Sequence, residues 1–151
     1  MTDSTIFKKL NLKDQTTIVV LNAPSSFESE IENLQNVTVH RNLPAPTPII
    51  FALSFVTQQA EVDSTVKSLA RLMEGDAIIW FAYPKGSSKR YTCDFNRDTG
   101  WAALGELGFE GVRQVAIDED WSALRFRRVE FIKSFKRDAS RALSAKGRAL
   151  C

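Results

Sequence analysis

Ile49-Ile50-Phe51-Ala52-Leu53-Ser54-Phe55 is the stretch on which the reading of this chain turns. It is apolar at nearly every position, so both sets of alternating side chains meet an apolar environment. That pattern predicts a central strand with helices packed on both of its faces. Ala77 to Tyr83 (AIIWFAY) repeats it. Between the two runs, Val62, Val66, Leu69 and Met73 recur at helical spacing from about Gln58 to Glu74, and Gly75 stands where a C-terminal cap would be. Apolar strands alternating with amphipathic helices predict an α/β fold with a mostly parallel sheet.

Toward the N-terminus, Ile6, Leu10 and Leu12 suggest a short leading helix, and Thr17 to Asn22 is an apolar, β-branched run too short for a helix. Ser25 and Glu28 have capping-box spacing behind Pro24, which predicts a helix from about Ser26 to Leu34. Val37 to His40 reads as a short strand. Leu43 to Pro48 reads as an extended connection, because each proline disfavours helix in the residue before it.

Toward the C-terminus, Pro84 to Tyr91 (PKGSSKRY) is a polar, cationic loop. Asp94 to Leu107 reads as a helix with Trp101, Leu104 and Leu107 inward and Gly108 closing it. Val112 to Ile117 and Ser122 to Phe131 flank the turn Asp118-Glu119-Asp120 as a β-hairpin. The second of these strands slips phase at Arg128-Val129, where a bulge is expected.

At 151 residues, 44% hydrophobic and 25% charged, the composition excludes a disordered or fibrous chain. The longest apolar run, Pro48 to Val56, falls well short of the roughly 20 residues that cross a bilayer. Cys93 and Cys151 make no disulfide framework, and without a charged-then-apolar leader the expected location is the cytoplasm. The formal charge of +2 is uneven. Residues 133–151 carry six basic side chains against Asp138, a net +5 that leaves −3 for residues 1–132. The expected division is one α/β domain over 1–132 and a basic tail over 133–151.

In sheets of this kind ligands bind beyond the carboxyl ends of the strands, where strand order reverses. That rule selects Asn22, Ala23, Pro24 and Ser25 after the first strand, Ser54 and Phe55 after the third, and Tyr83 to Ser87 after the fourth. Lys85, Ser87 and their neighbours in Lys85-Gly86-Ser87-Ser88-Lys89-Arg90 supply the glycine, hydroxyls and cations that hold phosphate, in an order that is not a Walker A loop. Arg97 could orient a substrate or pair with Asp98. His40 is the one histidine, which excludes multi-histidine metal sites, and no metal is expected. Cys93 follows Lys89 and Arg90, neighbours that would lower its pKa; an ordinary thiol is the simpler reading. Asp118, Glu119 and Asp120 read as a solvated turn. Arg125, Arg127 and Arg128 read as guards of an exposed edge strand.

Three stretches, Leu21-Asn22-Ala23-Pro24, Ala82-Tyr83-Pro84-Lys85 and Trp121-Ser122-Ala123-Leu124-Arg125-Phe126, resemble the signatures of a bacterial domain-of-unknown-function family of small proteins. Asp94 to Trp101 resembles that family's segment after the fourth strand, and the resemblance spans about residues 5 to 131. The strand pattern is also similar to the three-layer, Rossmann-like fold of S-adenosylmethionine-dependent methyltransferases. That resemblance implies a sheet order of 2-1-3-4-6-5 ending in an antiparallel hairpin. The chain departs from those enzymes in two places: no glycine stands in the turn after the first strand, and Arg41-Asn42 follows the second strand where an acid would hold a ribose.

The leading expectation is a non-enzymatic α/β domain that binds a small anionic metabolite or a protein partner. The alternative is a divergent S-adenosylmethionine-type transferase using Asn22, Tyr83, Lys85 and Arg97 at the carboxyl edge. Nucleic-acid binding through the basic tail is the weaker third reading. No cofactor is assigned. Unpaired sheet edges and an apolar Val129 to Phe131 leave room for a homodimer.

Overall fold

The computed structural model describes residues 5–13, 15–43, 48–95 and 100–132. Helix α1 (Thr5–Lys9) leads into β1 (Thr17–Leu21), a 3-10 turn (Ser25–Phe27), α2 (Glu28–Glu32) and β2 (Thr38–His40). Then come β3 (Ile49–Phe55), α3 (Gln59–Leu72), β4 (Met73–Pro84), α4 (Ala102–Glu106), β5 (Phe109–Ala116), β6 (Trp121–Arg128) and a last 3-10 turn (Val129–Phe131). The six strands form one sheet in the order β2-β1-β3-β4-β6-β5. β1, β2, β3 and β4 are parallel; β6 runs antiparallel to both β4 and β5. The expected order and hairpin are both present.

The two faces of the sheet bury separate apolar clusters. On one, Ala52, Ile79, Phe81 and Tyr83 meet Val62, Val66 and Leu69 of α3 and Leu104 of α4. On the other, Phe51, Leu53, Phe55 and Trp80 meet Phe7 and Leu10 from the α1 end together with Phe27 and Ile31. The continuous apolarity of β3 and β4 is thus used on both sides. Trp80 is fully buried, and its indole Nε1–H donates to the Leu10 carbonyl at 2.8 Å, which fastens the end of α1 to the sheet.

Several local expectations are corrected. The Ser25–Glu28 capping box does not form, because Glu28 instead takes both terminal nitrogens of Arg41, at 2.6 and 2.9 Å. The box that does form is at Gln58 and Glu61, at the start of α3. Gly75 is not a helix cap. α3 ends at Leu72, and Gly75 (φ +62) lies inside β4, where pairing with β3 jumps from Ile49↔Met73 to Phe51↔Ile78. Of the helix expected over Asp94 to Leu107, the described part is α4; Asp94, Phe95, Gly100 (φ +89) and Trp101 are not helical, residues 96–99 lie outside the described residues, and Leu107 is exposed.

In the hairpin, the bulge falls in β5 between Gly111 and Arg113 and not at Arg128-Val129. β6 is an interior strand, so its arginines guard no edge. Arg127 pairs with Asp76, and Arg128 donates to the Ala70 carbonyl while lying 5.4 Å from the centre of the Phe109 ring. Val129 to Phe131 is a 3-10 turn with Val129 buried, not an unpaired apolar strand. The prolines from Pro44 to Pro46, with Asp98 and the basic tail, lie outside the described residues. No helix among the described residues is long and apolar enough to cross a membrane.

Candidate functional site

β4 is the longest strand, and its carboxyl end, Tyr83-Pro84, projects into the loop that carries the chain to α4. That loop is tied down at several points. Lys85 N–H donates to the Asp120 carbonyl at 2.8 Å, and the Ser88 hydroxyl donates to Asp120 Oδ1 at 2.9 Å. The Tyr91 ring packs on Trp121 with centroids 4.9 Å apart. At its far end Asp94 N–H donates to the Thr57 carbonyl, and the Asp94 carboxylate accepts from Gln59 N–H at 2.7 Å.

Between this loop and the sheet lies a cavity of about 430 Å³, within the range of small-molecule sites. Its floor is Tyr83, Gln114 and Ser122, from three neighbouring strands. Gln114 Nε2 donates to the Tyr83 hydroxyl at 2.9 Å and to Ser122 Oγ at 3.2 Å, so the three side chains form one hydrogen-bonded set. Lys85, Ser88, Tyr91 and Cys93 form the loop side, and Phe95 adds an aromatic wall. Lys85 is the cation among these lining residues.

The sequence-selected residues divide between two places. Tyr83 and Lys85 line the cavity. Ser87 is exposed and does not line it; the adjacent Ser88 faces it instead. Asn22, Pro24 and Ser25 stand apart, after β1. Asn22 is exposed and takes a left-handed backbone (φ 58), Pro24 precedes the 3-10 turn, and Ser25 opens that turn with no side-chain cap. Ser54 is fully buried next to Leu21 in register, and its hydroxyl has no hydrogen-bond partner. Arg97 lies outside the described residues.

Gln114 and Ser122 were not singled out from sequence. A glutamine on an alternating hairpin strand reads as a solvated position, and its role appears only when β6 is placed between β4 and β5. The signal was the expected strand order combined with the register Tyr83↔Ser122.

Two features of the carboxyl edge bear on charge. The N-terminus of α3, a natural anion site, is occupied by the chain's own carboxylates. Glu61 Oε1 accepts from Thr57 N–H and Gln58 N–H at 3.0 and 3.1 Å, beside the Asp94 bond. Cys93 is pushed up from the ordinary thiol range, first by burial and then by the carboxylates of Asp94 and Glu61, with a backbone bond to Phe95 opposing. Lys89 and Arg90, the neighbours that could have lowered the thiol, have exposed side chains, and the shift runs the other way. Among the described residues no group of His, Cys, Asp and Glu is arranged to hold a metal ion.

Solved structures share this fold. The chain is similar to a SAM-dependent methyltransferase from Aquifex aeolicus, with a TM-score of 0.61 and 13% identity over 82% of this chain and 87% of that one. The fold is methyltransferase-like. It is also similar to the N-methyltransferase NodS from Bradyrhizobium japonicum, with a TM-score of 0.52 and 10% identity over 85% and 99% of the two chains. No protein-family model and no curated protein matches the chain. At such identities the likeness is one of methyltransferase-like architecture alone.

Proposed function

We propose that this chain is a divergent transferase-type domain that takes a small molecule into the cavity at the carboxyl end of β4. The observation that carries the reading is that cavity: a ligand-sized space at the edge where open α/β sheets bind, floored by the Tyr83–Gln114–Ser122 set. Lys85 and the ring of Tyr91 suit a molecule with an anionic group and a planar part. The methyltransferase-like architecture supports transferase chemistry over a purely structural domain.

The donor for which the Aquifex relative is named, S-adenosylmethionine, is not fitted by the ends of β1 and β2 as they stand. Asn22 supplies the left-handed turn, but Ala23 and Pro24 follow where glycine would let a ligand approach the backbone. The carboxylate in that corner, Glu28, is engaged by both terminal nitrogens of Arg41. A second reading, binding of a small anionic metabolite without turnover, is favoured by that engaged carboxylate.

Calorimetric titration with S-adenosylmethionine and S-adenosylhomocysteine, run beside a thermal-shift panel of aromatic carboxylates and phosphate esters, tests both. Donor binding that strengthens in Arg41→Ala, where Glu28 is released, supports the transferase. Stabilisation by panel anions that Lys85→Ala abolishes, with no response to the donor, supports the second reading. Silence to all of them overturns both.

A further inference from the structure

On the face of the sheet opposite the cavity, the hairpin gathers three arginines. Arg113 and Arg125 are direct partners across the antiparallel β5–β6 ladder, and Arg127 lies two residues along on the same face. Like charges set directly opposite one another in such a ladder destabilise it. Two carboxylates belong to this corner. Asp76 holds Arg127 at 2.8 and 2.5 Å, and Glu110 is buried in register with Arg127.

Arg125 keeps a buried Nε with no hydrogen-bond partner. Burial, then the charge of Arg127, pushes its guanidinium below its usual range, with Arg113 adding to the effect and Asp76 opposing it. The positive end of this surface is extended by α1, whose last turn carries Lys8 and Lys9 and is fastened to Trp80, the partner of Arg125 across β4–β6.

An opposed pair of like charges is unfavourable, and the arrival of an oxyanion between the two guanidinium groups relieves it. We propose that Arg113 and Arg125, beside the Asp76-held Arg127, form a site for a phosphate group. Guanidinium forks match tetrahedral oxyanions bidentately, and a doubly charged group offsets clustered arginines better than a monoanion. The chain's own tail is excluded as occupant by its sign, since residues 133–151 carry +5. Lying on the opposite face, the site is independent of the reading given to the cavity.

The test is a thermal-shift and calorimetric titration of the full chain with inorganic phosphate, pyrophosphate and a mixed-sequence single-stranded oligonucleotide, against chloride at matched ionic strength. Phosphate or pyrophosphate is expected to raise the melting temperature. Arg125→Gln is expected to weaken binding about tenfold or more, and Lys67→Gln, which removes an equal charge from exposed α3, to leave it unchanged. In chloride alone Arg113→Gln is expected to melt about 2 °C higher or more, because the repulsion is gone. If Arg125→Gln does not fold, Arg125→Lys, which keeps the charge and loses the fork, serves in its place. Binding of the oligonucleotide alone, lost in the same variant, assigns the phosphate to a nucleic-acid backbone. No response to any of the three ligands overturns the site, as does a response that survives Arg125→Gln or disappears only with Lys85→Ala.

Discussion

Asn22 shows what one residue decides and what sequence hides. The methyltransferase resemblance implies glycine in the turn after the first strand; asparagine stands there instead, tolerates the left-handed region and makes the turn at φ 58. The shape survives while the space a glycine would leave for a ligand does not. Glu28 makes the same point through charge. Its spacing from Ser25 spelled a local cap, but a guanidinium 13 positions away offers two charge-assisted bonds and wins. The Arg41 guanidinium holds the Glu28 carboxyl below the ordinary carboxylate range, first through its hydrogen bonds, with desolvation working against it. A depressed carboxyl contributes stability above its unfolded pKa and loses that contribution as pH falls through the folded value. In Arg41→Ala the Glu28 pKa should therefore return upward toward the ordinary range, which carboxyl-resolved NMR titration measures directly. An unchanged midpoint would mean that the pair is not formed in solution.

Among the elements, α3 was the most legible and α4 the least. The α3 spacing of Val62, Val66 and Leu69 survives as three buried contacts, because a 14-residue helix has room to declare its period. α4 has five residues, too few to declare a period, and Trp101 stands just outside it. There Gly100 closes on Phe95: a Cβ at Gly100 would lie 2.7 Å from the Phe95 side chain, and the ring packs 5.0 Å from Trp101. The start of α3 is held from within the helix and from the loop. Glu61→Ala removes the bonds to Thr57 and Gln58 and should cost about 1 kcal/mol in chemical denaturation. Asp94→Ala should cost a similar amount and also loosen the loop side of the cavity. If the double variant loses no more than either single one, the two carboxylates act as one cap and not as two.

Taken as a whole, the molecule places Cys93 on the cavity wall, and this makes the thiol a reporter of occupancy. Because burial raises its pKa, alkylation in a Cys151→Ser background should follow a pH profile with its midpoint above that of a free thiol, and a ligand in the cavity should slow the reaction further. A midpoint below the free-thiol value would mean that Lys89 and Arg90 outweigh burial in solution. The strands and the antiparallel hairpin were readable in advance, because alternation, apolar runs and turn residues are local signals, and the strand order followed from the methyltransferase resemblance. The composition of the cavity was not. Tyr83 and Lys85 were within reach of the rule that ligands sit beyond strand ends; Gln114 and Ser122 join them only because β6 lies between β4 and β5, with its register pinned by a bulge at Val112. The arginines of β6 changed meaning for the same reason, from guards of an edge to a charged cluster inside a sheet. The sequence by itself therefore determined most of the elements and their succession along the chain, through energies that depend on near neighbours. The tertiary structure alone decided which polar groups meet, because a pairing such as Arg41 with Glu28 or Gln114 with Tyr83 is chosen by distance in space and by the cost of leaving a buried polar group alone.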